Sequence, residues 1–242
     1  MSDPVRQAVL LAAGRGSRLG SLTHAFPKPL LAVGGITILA RILEGVAAAG
    51  ITRVAIVTGH EAEQLERAIG DGNHWGVAIE YVRQPNLAGT AKALLLTKHL
   101  LDDEPFLMGW GDIVVDAGNY RSVAHAFEAG TIVLGVNEVV DPFAGGAVYV
   151  DEAWNVERLV EKPAPGTSMT HWNNAGLMIL PPSVWTHVEA LEPSSRGEYE
   201  LPQAVAAAVA SGTKAKAVPI EGPWFDIGTV ESLQAARAYF ES

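Results

Sequence analysis

Between Gln7 and Asn137 the chain alternates short apolar runs with stretches of helical period, and this alternation constrains the fold more than any other feature. The runs at 7–13, 53–59, 77–82, 105–112 and 131–137 have the length and apolar content of buried strands. Between them, 36–50, 61–69, 90–101 and 119–130 carry apolar residues at helical spacing. Strands separated by helices of about ten residues predict an α/β fold, a parallel sheet with helices on both faces. Functional groups in such sheets collect at the carboxyl ends of the strands. After Val139 the rhythm changes, and residues 145–163 alternate about a turn near Asp151–Ala153 as a hairpin does. A strand at 175–180, helices near 182–191 and at 202–212, a strand at 214–220 and a last helix from about 229 follow. No repeat of about 20–50 residues interrupts the chain. Its 242 residues read as one continuous domain, 1–242, long enough to bury roughly 70–75% of the surface of the unfolded chain.

The formal charge of −10 argues against a nucleic-acid or anionic-membrane partner. No apolar run approaches the ~20 residues of a membrane helix, and no signal segment opens the chain. With no cysteine, disulfides, thiolate zinc sites and cysteine nucleophiles are excluded, and a cytoplasmic setting is the plain expectation. Against the acidic background, the first 28 residues carry Arg6, Arg15, Arg18 and Lys28 with one acid, Asp3. A local cationic loop on an acidic protein points to a small anionic ligand.

That loop is LAAGRGSRLGSLTHAFPKPLL (11–31), with Gly14, Gly16 and Gly20 among the cations. Glycine-rich loops after a strand present backbone N–H groups to phosphates. The dinucleotide spacing G-x-G-x-x-G fails, because Gly20 falls one place late and no acid follows at a strand end about 20 places on. The P-loop pattern also fails, since no Lys-Ser/Thr follows Gly20. A simple tight turn leaves Arg15, Arg18 and Lys28 unexplained.

LAAGRGSRL followed by FPKPLL, with ten places from Arg18 to Lys28, resembles the signature of the sugar-phosphate nucleotidyltransferases, the NDP-sugar pyrophosphorylases. The likeness is to the short single-domain type that includes glucose-1-phosphate thymidylyl- and uridylyltransferases. Further segments follow in the family's order. RQPNLAGTAKAL (83–94) is similar to its nucleotide-base segment and GWGD (109–112) to its metal-aspartate strand end. VEKP (160–163), NNAGLMIL (173–180) and WFDIGT (224–229) resemble its sugar-side pair, its sugar-binding strand and its second metal aspartate. The matches span residues 8 to 229. They imply a three-layer αβα Rossmann-like fold with a mixed, mainly parallel sheet. Residues 1–137 would mainly bind nucleotide and 138–242 mainly sugar phosphate.

In the implied reaction a phosphate oxygen of a sugar 1-phosphate attacks the α-phosphorus of a nucleoside triphosphate, and pyrophosphate leaves in line. The nucleophile is already an anion, so positioning and charge stabilisation carry the catalysis. By the resemblance, backbone groups of Leu11, Ala12, Ala13, Gly14, Arg15 and Gly16 face the nucleotide, while Arg18 and Lys28 neutralise the phosphates. Pro27 and Pro29 disfavour helix at Phe26 and Lys28 and predict a lysine on a stiff extended loop; a merely solvated lysine is the alternative.

Asp112 read alone is a helix cap, but with Asp226 it reads as a ligand for Mg2+ and a catalytic group, Asp116 being a lower-ranked alternative. Glu161 and Lys162 read alone are a surface ion pair. The resemblance makes Glu161 an acceptor for sugar hydroxyls and Lys162 a catalytic contact to the sugar phosphate, with Asn174 and the backbone of Gly146 completing the pocket. It also assigns Gln84, Gly89 and Thr90 to the nucleotide. An amide at Gln84 can pair with the N3–H and O4 edge of uracil or thymine, which favours UTP or dTTP. CTP and GTP stay open, because an amide can flip.

Two departures from the family stand out. Many relatives have Thr-Asp where this chain has Pro202 and Gln203, a region used for sugar contacts or dimer packing, so homo-oligomerisation stays open. His171 and Trp172 either recognise an atypical acceptor or simply pack, and packing is the expectation. The absence of a hexapeptide-repeat tail argues against a bifunctional acyltransferase. Two other functions compete: CTP- or GTP-dependent transfer to phosphocholine or an aminoalkylphosphonate, and an inactive nucleotide-sugar-binding regulator. The second would be expected to have lost one of Arg18, Lys28, Asp112 and Asp226, all of which stand here.

Overall fold

The computed structural model describes residues 5–241, apart from the side chains of His24 and Ala25. Asp3, the acid counted beside the cationic loop, lies outside these residues. In chain order the first half runs β1 (Gln7–Leu11), α1 (Leu22–Ala25), β2 (Ala32–Val33), β3 (Ile36–Thr37), α2 (Ile38–Ala48), β4 (Arg53–Thr58), α3 (Ala62–Ile69) and β5 (Ala78–Arg83). Then come α4 (Thr90–Leu95), β6 (Phe106–Trp110), β7 (Ile113–Val115), α5 (Gly118–His125) and β8 (Ile132–Glu138). The second half has β9 (Gly146–Val150), β10 (Val156–Glu161), β11 (Trp172–Leu180), α6 (Val184–Glu189), α7 (Leu201–Ala210), β12 (Ala215–Pro219), β13 (Trp224–Asp226) and α8 (Val230–Phe240).

A mixed, mainly parallel nine-stranded sheet forms the centre, in the order β10-β9-β11-β6-β1-β4-β5, with β8 on β11 and β12 on β8. Strands β6, β1, β4 and β5 are parallel neighbours. Only β10 and β11 run against the other strands of this sheet. β1 is buried along its whole length because helices cover both faces. Its side chains alternate: Ala8 and Leu10 join the core under α2, α3, α5 and α8, whereas Val9 and Leu11 join the core under α4, α6 and α7. These are the two outer layers of an αβα sandwich. A fully buried leucine such as Leu10 contributes about 1.5–3 kcal/mol.

Local chemistry sets the helix ends. Thr37 caps α2 by accepting from Ala40 N–H at 3.2 Å, and Thr229 and Ser232 form a reciprocal capping box at α8. Residues 36–37, expected as helix, instead pair with β2. The helix expected over 90–101 stops at Leu95. There Thr97 turns its hydroxyl back onto the Leu94 carbonyl (2.8 Å), and a 3-10 turn covers Lys98–Leu100. The helices expected at 119–130 and near 182–191 are also shorter, at 118–125 and 184–189. In the other direction, the strand expected at 175–180 begins at Trp172 and contains a bulge between Asn174 and Met178. The β7–β13 ribbon was not anticipated at all, since each arm is three residues long.

Gly45 lies in the middle of α2 with the Tyr120 ring of α5 against it, so close that a Cβ would overlap the ring. Alanine would favour the isolated helix by about 1 kcal/mol, but overpacking costs about 1–3 kcal/mol. Gly45→Ala is therefore expected to lower stability, seen as a reduced urea midpoint at unchanged m-value.

Candidate active site

The glycine loop leaves β1 through a slot between the ends of β4 and β6. Ala12 donates its N–H to Val57 (2.8 Å), and the Leu11 carbonyl accepts from Gly111 (2.9 Å). Side chains at the two flanking glycines would block the slot: a Cβ on Gly59 would lie 2.6 Å from the Ala13 carbonyl, and one on Gly111 2.9 Å from the Ala13-preceding Ala12 Cβ. Because Leu11 and Ala12 are held by the sheet in this way, backbone donors available to a ligand begin at Ala13. A Cβ on Gly14 would meet nothing within 4 Å, so that edge of the loop is open to close approach. Gly16 has a left-handed φ of 63° and starts the 3-10 turn carrying Arg18. A Cβ there would crowd Lys28 at 3.1 Å, so the glycine loop and the Pro-Lys-Pro segment pack directly on each other.

Phe26 and Pro27 are extended, as expected, but Lys28 is not. It begins a 3-10 turn, Lys28–Leu30, closed by Leu30 N–H on the Pro27 carbonyl (2.8 Å). Pro29 is tolerated there because the first N–H groups of such a turn have no partner within it. Nor is Lys28 displayed on an open loop. It is 6% exposed, and its Nζ lies 2.6 Å from Asp112 Oδ2. Asp112 follows β6, and its carbonyl accepts from Ile227 N–H at 3.0 Å. The ribbon pairs Asp226 with Ile113, so two aspartates far apart in sequence face one cavity. Arg18 completes the group: its guanidinium lies where a Cβ on Gly228 would come within 2.9 Å.

This cavity, of about 330 Å³, is also lined by Gly146, Glu161, Lys162, Asn174 and Thr90. Lys162 takes a left-handed φ of 44°, fixed by its N–H on the Gly145 carbonyl (2.7 Å). A Cβ on Gly146 would stand 3.3 Å from Glu161 Oε2, so the missing side chain keeps that carboxylate clear. Asn174 Oδ1 accepts from Gly176 N–H (3.1 Å) across the β11 bulge. Thr90 accepts from Leu201 N–H (2.9 Å), capping α7. Gly89, at φ 102°, is pressed against the Tyr199 backbone and joins the two halves of the chain. Gln84 lies elsewhere, in a second depression of about 290 Å³ with Ala13, Arg15, His60 and Asn86.

Asp226 is exposed at the cavity surface yet surrounded by protein at longer range. That burial raises it above the usual carboxylate range, the Asp112 charge adds to the rise, and Lys28 and Arg18 oppose it. Burial likewise pushes Glu161 up to about 7; Lys162 opposes the shift, Glu200 adds to it and Arg196 opposes it. Among the described residues no group of three or more His, Asp or Glu is placed to hold a metal ion. Two neighbouring carboxylates, one raised by burial and then by the other's charge, nevertheless suit a divalent cation whose remaining ligands are phosphate oxygens and water.

The sequence pattern of the nucleotidyl transferase family matches residues 7–242. The chain belongs to this family. It is 35% identical over 96% of its length to the low-salt glycan biosynthesis nucleotidyltransferase of Haloferax volcanii, and spans 65% of that protein. It is 34% identical over 97% of its length to a glucose-1-phosphate thymidylyltransferase of Streptomyces antibioticus, of which it spans 66%. The chain thus covers just under two thirds of these relatives. Among solved structures, a Bacillus anthracis protein described as a glucose-1-phosphate thymidylyltransferase in complex with sucrose superposes with a TM-score of 0.88 at 25% identity, over 98% of this chain and 96% of that one.

Several cavity residues escaped the sequence reading. Glu198 and Glu200 line it from the 194–200 segment, and Arg196 of the same segment pairs with Glu200 at its edge; no helical or strand period there marks these charges as inward-facing. Trp110, Asp141 and Trp224 also line the cavity. His171 and Trp172 do not; they border a separate surface depression, where Trp172 packs edge-on against Trp154 at 5.0 Å. Asp116 accepts from Tyr239 Oη at 3.3 Å and does not line the cavity. No helix among the described residues is long and apolar enough to cross a membrane.

Asp112→Ala would strand a buried lysine. It is expected to cost about 3 kcal/mol, the lower end for a broken buried pair because Asp112 is one-third exposed. Adding Lys28→Met should recover more than half of that loss in urea denaturation.

Proposed function

We propose that the chain transfers a nucleotidyl group from a nucleoside triphosphate, UTP or dTTP first, to a sugar 1-phosphate, giving a nucleoside diphosphate sugar and pyrophosphate. The observation that carries this reading is one cavity lined by Arg18, Asp112 and Asp226 together with Glu161 and Lys162. Asp112 and Asp226 would hold Mg2+, which when bound supplies charge neutralisation at the phosphates. Residues 1–137 serve the nucleotide and 138–242 the sugar phosphate, within a cytoplasmic enzyme. Relatives named as glucose-1-phosphate thymidylyltransferases support dTTP and glucose 1-phosphate as the first pair to test.

The chain's own residues then divide the work. A phosphate oxygen of the acceptor forms the new P–O bond to the α-phosphorus while the α–β bridging bond breaks towards pyrophosphate. No proton has to be removed from this nucleophile, so the site needs cations rather than a base. Arg18 and Lys28 stabilise charge on the transferring group, with Lys28 shared between phosphate and Asp112. Lys162 holds the acceptor phosphate, and ionised Glu161 accepts from sugar hydroxyls. The amide of Asn174 retains its NH2 for the sugar, because only its oxygen is committed to Gly176. Gln84 reads the base.

A second reading keeps the fold and changes the acceptor. Trp110 and Trp224 border the same cavity as Asp141 and Glu161, a setting that also suits a cationic head such as that of phosphocholine. Pyrophosphate release over a matrix of four nucleoside triphosphates against sugar 1-phosphates and phosphocholine decides between them. The first reading expects turnover with UTP or dTTP and a sugar 1-phosphate, abolished by EDTA and reduced at least about 100-fold by Asp226→Asn. Turnover confined to CTP and phosphocholine would replace it.

The pH dependence follows from Glu161. Its midpoint is raised to about 7, so the accepting carboxylate form grows as pH rises through that value. Acceptor kcat/KM is expected to fall about tenfold per unit below it and to level off above it. In Glu161→Gln this acid limb should disappear.

A further inference from the structure

Among the described residues Glu200 and Lys28 are the buried charged side chains; Glu200, 4% exposed, stands at the N-terminal end of α7. Its carboxylate meets the Arg196 guanidinium, Lys162 Nζ at 3.5 Å and Gln203 Nε2 at 3.3 Å. The two cations are much more open than the acid, with side chains 42% and 39% exposed against 6% for Glu200. Thus Glu200 forms the base of the cluster, and both cations extend from it towards solvent.

The mounts are rigid. Lys162 is held by its backbone bond to Gly145, and Leu201, next to Glu200, is tied to Thr90. Arg196 sits in a tight turn in which Gly197 N–H meets the Ser194 carbonyl at 2.8 Å and Ser194 N–H meets Glu198 at 2.9 Å. A buried carboxylate held between two cations restricts both side chains before any ligand arrives, which lowers the ordering cost of binding a phosphate.

We propose that Glu200 is a positioning residue for the acceptor phosphate: it holds Lys162 and Arg196 side by side as a preorganised cationic clamp. The proposal deepens the functional reading above and rests on it. Glu200 also acts on Glu161. Facing Glu161 are Lys162 beside it, Glu200 from α7 and Arg196 from the 194–200 segment, while Asp141 and Glu198 line the same cavity. Glu200's negative charge adds to the burial that raises Glu161, so removing it shifts Glu161 downward.

Glu200→Gln preserves the side-chain size and removes the charge. Steady-state pyrophosphate release should show an acceptor KM raised about tenfold, kcat within about twofold and the nucleotide KM unchanged. The acid limb of acceptor kcat/KM should move to lower pH, a change that loss of a purely structural contact would not produce. Arg196→Gln, at the more exposed cation, gives an independent handle if Glu200→Gln folds poorly. It should also raise the acceptor KM, and the double variant should be less than additive. An unchanged acceptor KM in both variants, additive effects, or an acid limb that stays in place overturns the clamp. Wild-type protein that turns over no nucleotide and sugar phosphate pair overturns the functional reading itself, and is distinguished from failure of the clamp by that control.

Discussion

The contact between Lys28 and Asp112 organises the site. Lys28 is buried, and burying an ammonium group without a close anionic partner is costly. The partner stands at the end of β6, so the pair draws the Pro-Lys-Pro segment over the glycine loop and against the strand ends. Replacing such a pair with apolar groups can leave stability unchanged, so its worth lies in specifying one arrangement rather than in net stability. From the same aspartate the backbone continues into the ribbon that carries Asp226 and supports Arg18. Three segments of the chain, from the first loop, the middle of the sheet and near the C-terminus, are tied together there.

Charge is arranged unevenly on this acidic protein. Around Asp112 and Asp226 two carboxylates are forced together, with Lys28 and Arg18 opposing the resulting rise at Asp226. Around Glu161 and Glu200 a second pair of acids is offset by Lys162 and Arg196. Each group sets cations next to a raised carboxyl, Asp226 in one and Glu161 in the other. A phosphate ligand and a divalent metal ion would redistribute these pairings at little reorganisation cost, which is the electrostatic preorganisation that transfer between polyanions requires.

The antiparallel β11 makes this geometry accessible. It turns back along β6 and β8 and carries a bulge whose Gly176 packs under the Trp110 ring, where a Cβ would be 2.7 Å from the ring. The Asn174 side chain spans the bulge by accepting from Gly176 N–H, and the β9–β10 register sets Gly146 opposite Glu161. The loops at the carboxyl ends of the parallel β1 and β6 supply Arg18 and Asp112, and β9, β10 and β11 supply Gly146, Glu161 and Asn174.

The sequence by itself determined the alternation of strands and helices, the two-sided burial of β1 and the segments from which most cavity residues come. It did so because periodicity, caps and glycine spacing are local signals. It also carried the family pattern, through Arg18, Lys28, Asp112, Glu161 and Asp226. Tertiary structure alone decided which of these residues meet. The Lys28–Asp112 pair joins residues 84 places apart, and the ribbon pairs strands of three residues each, too short to leave a period. The same holds for Arg196 and Glu200: a charged loop looks solvated in sequence, and only the packing of α7 against β10 turns its carboxylate inward. Long-range contacts have no local signature, and the chemistry of this cavity is built from them.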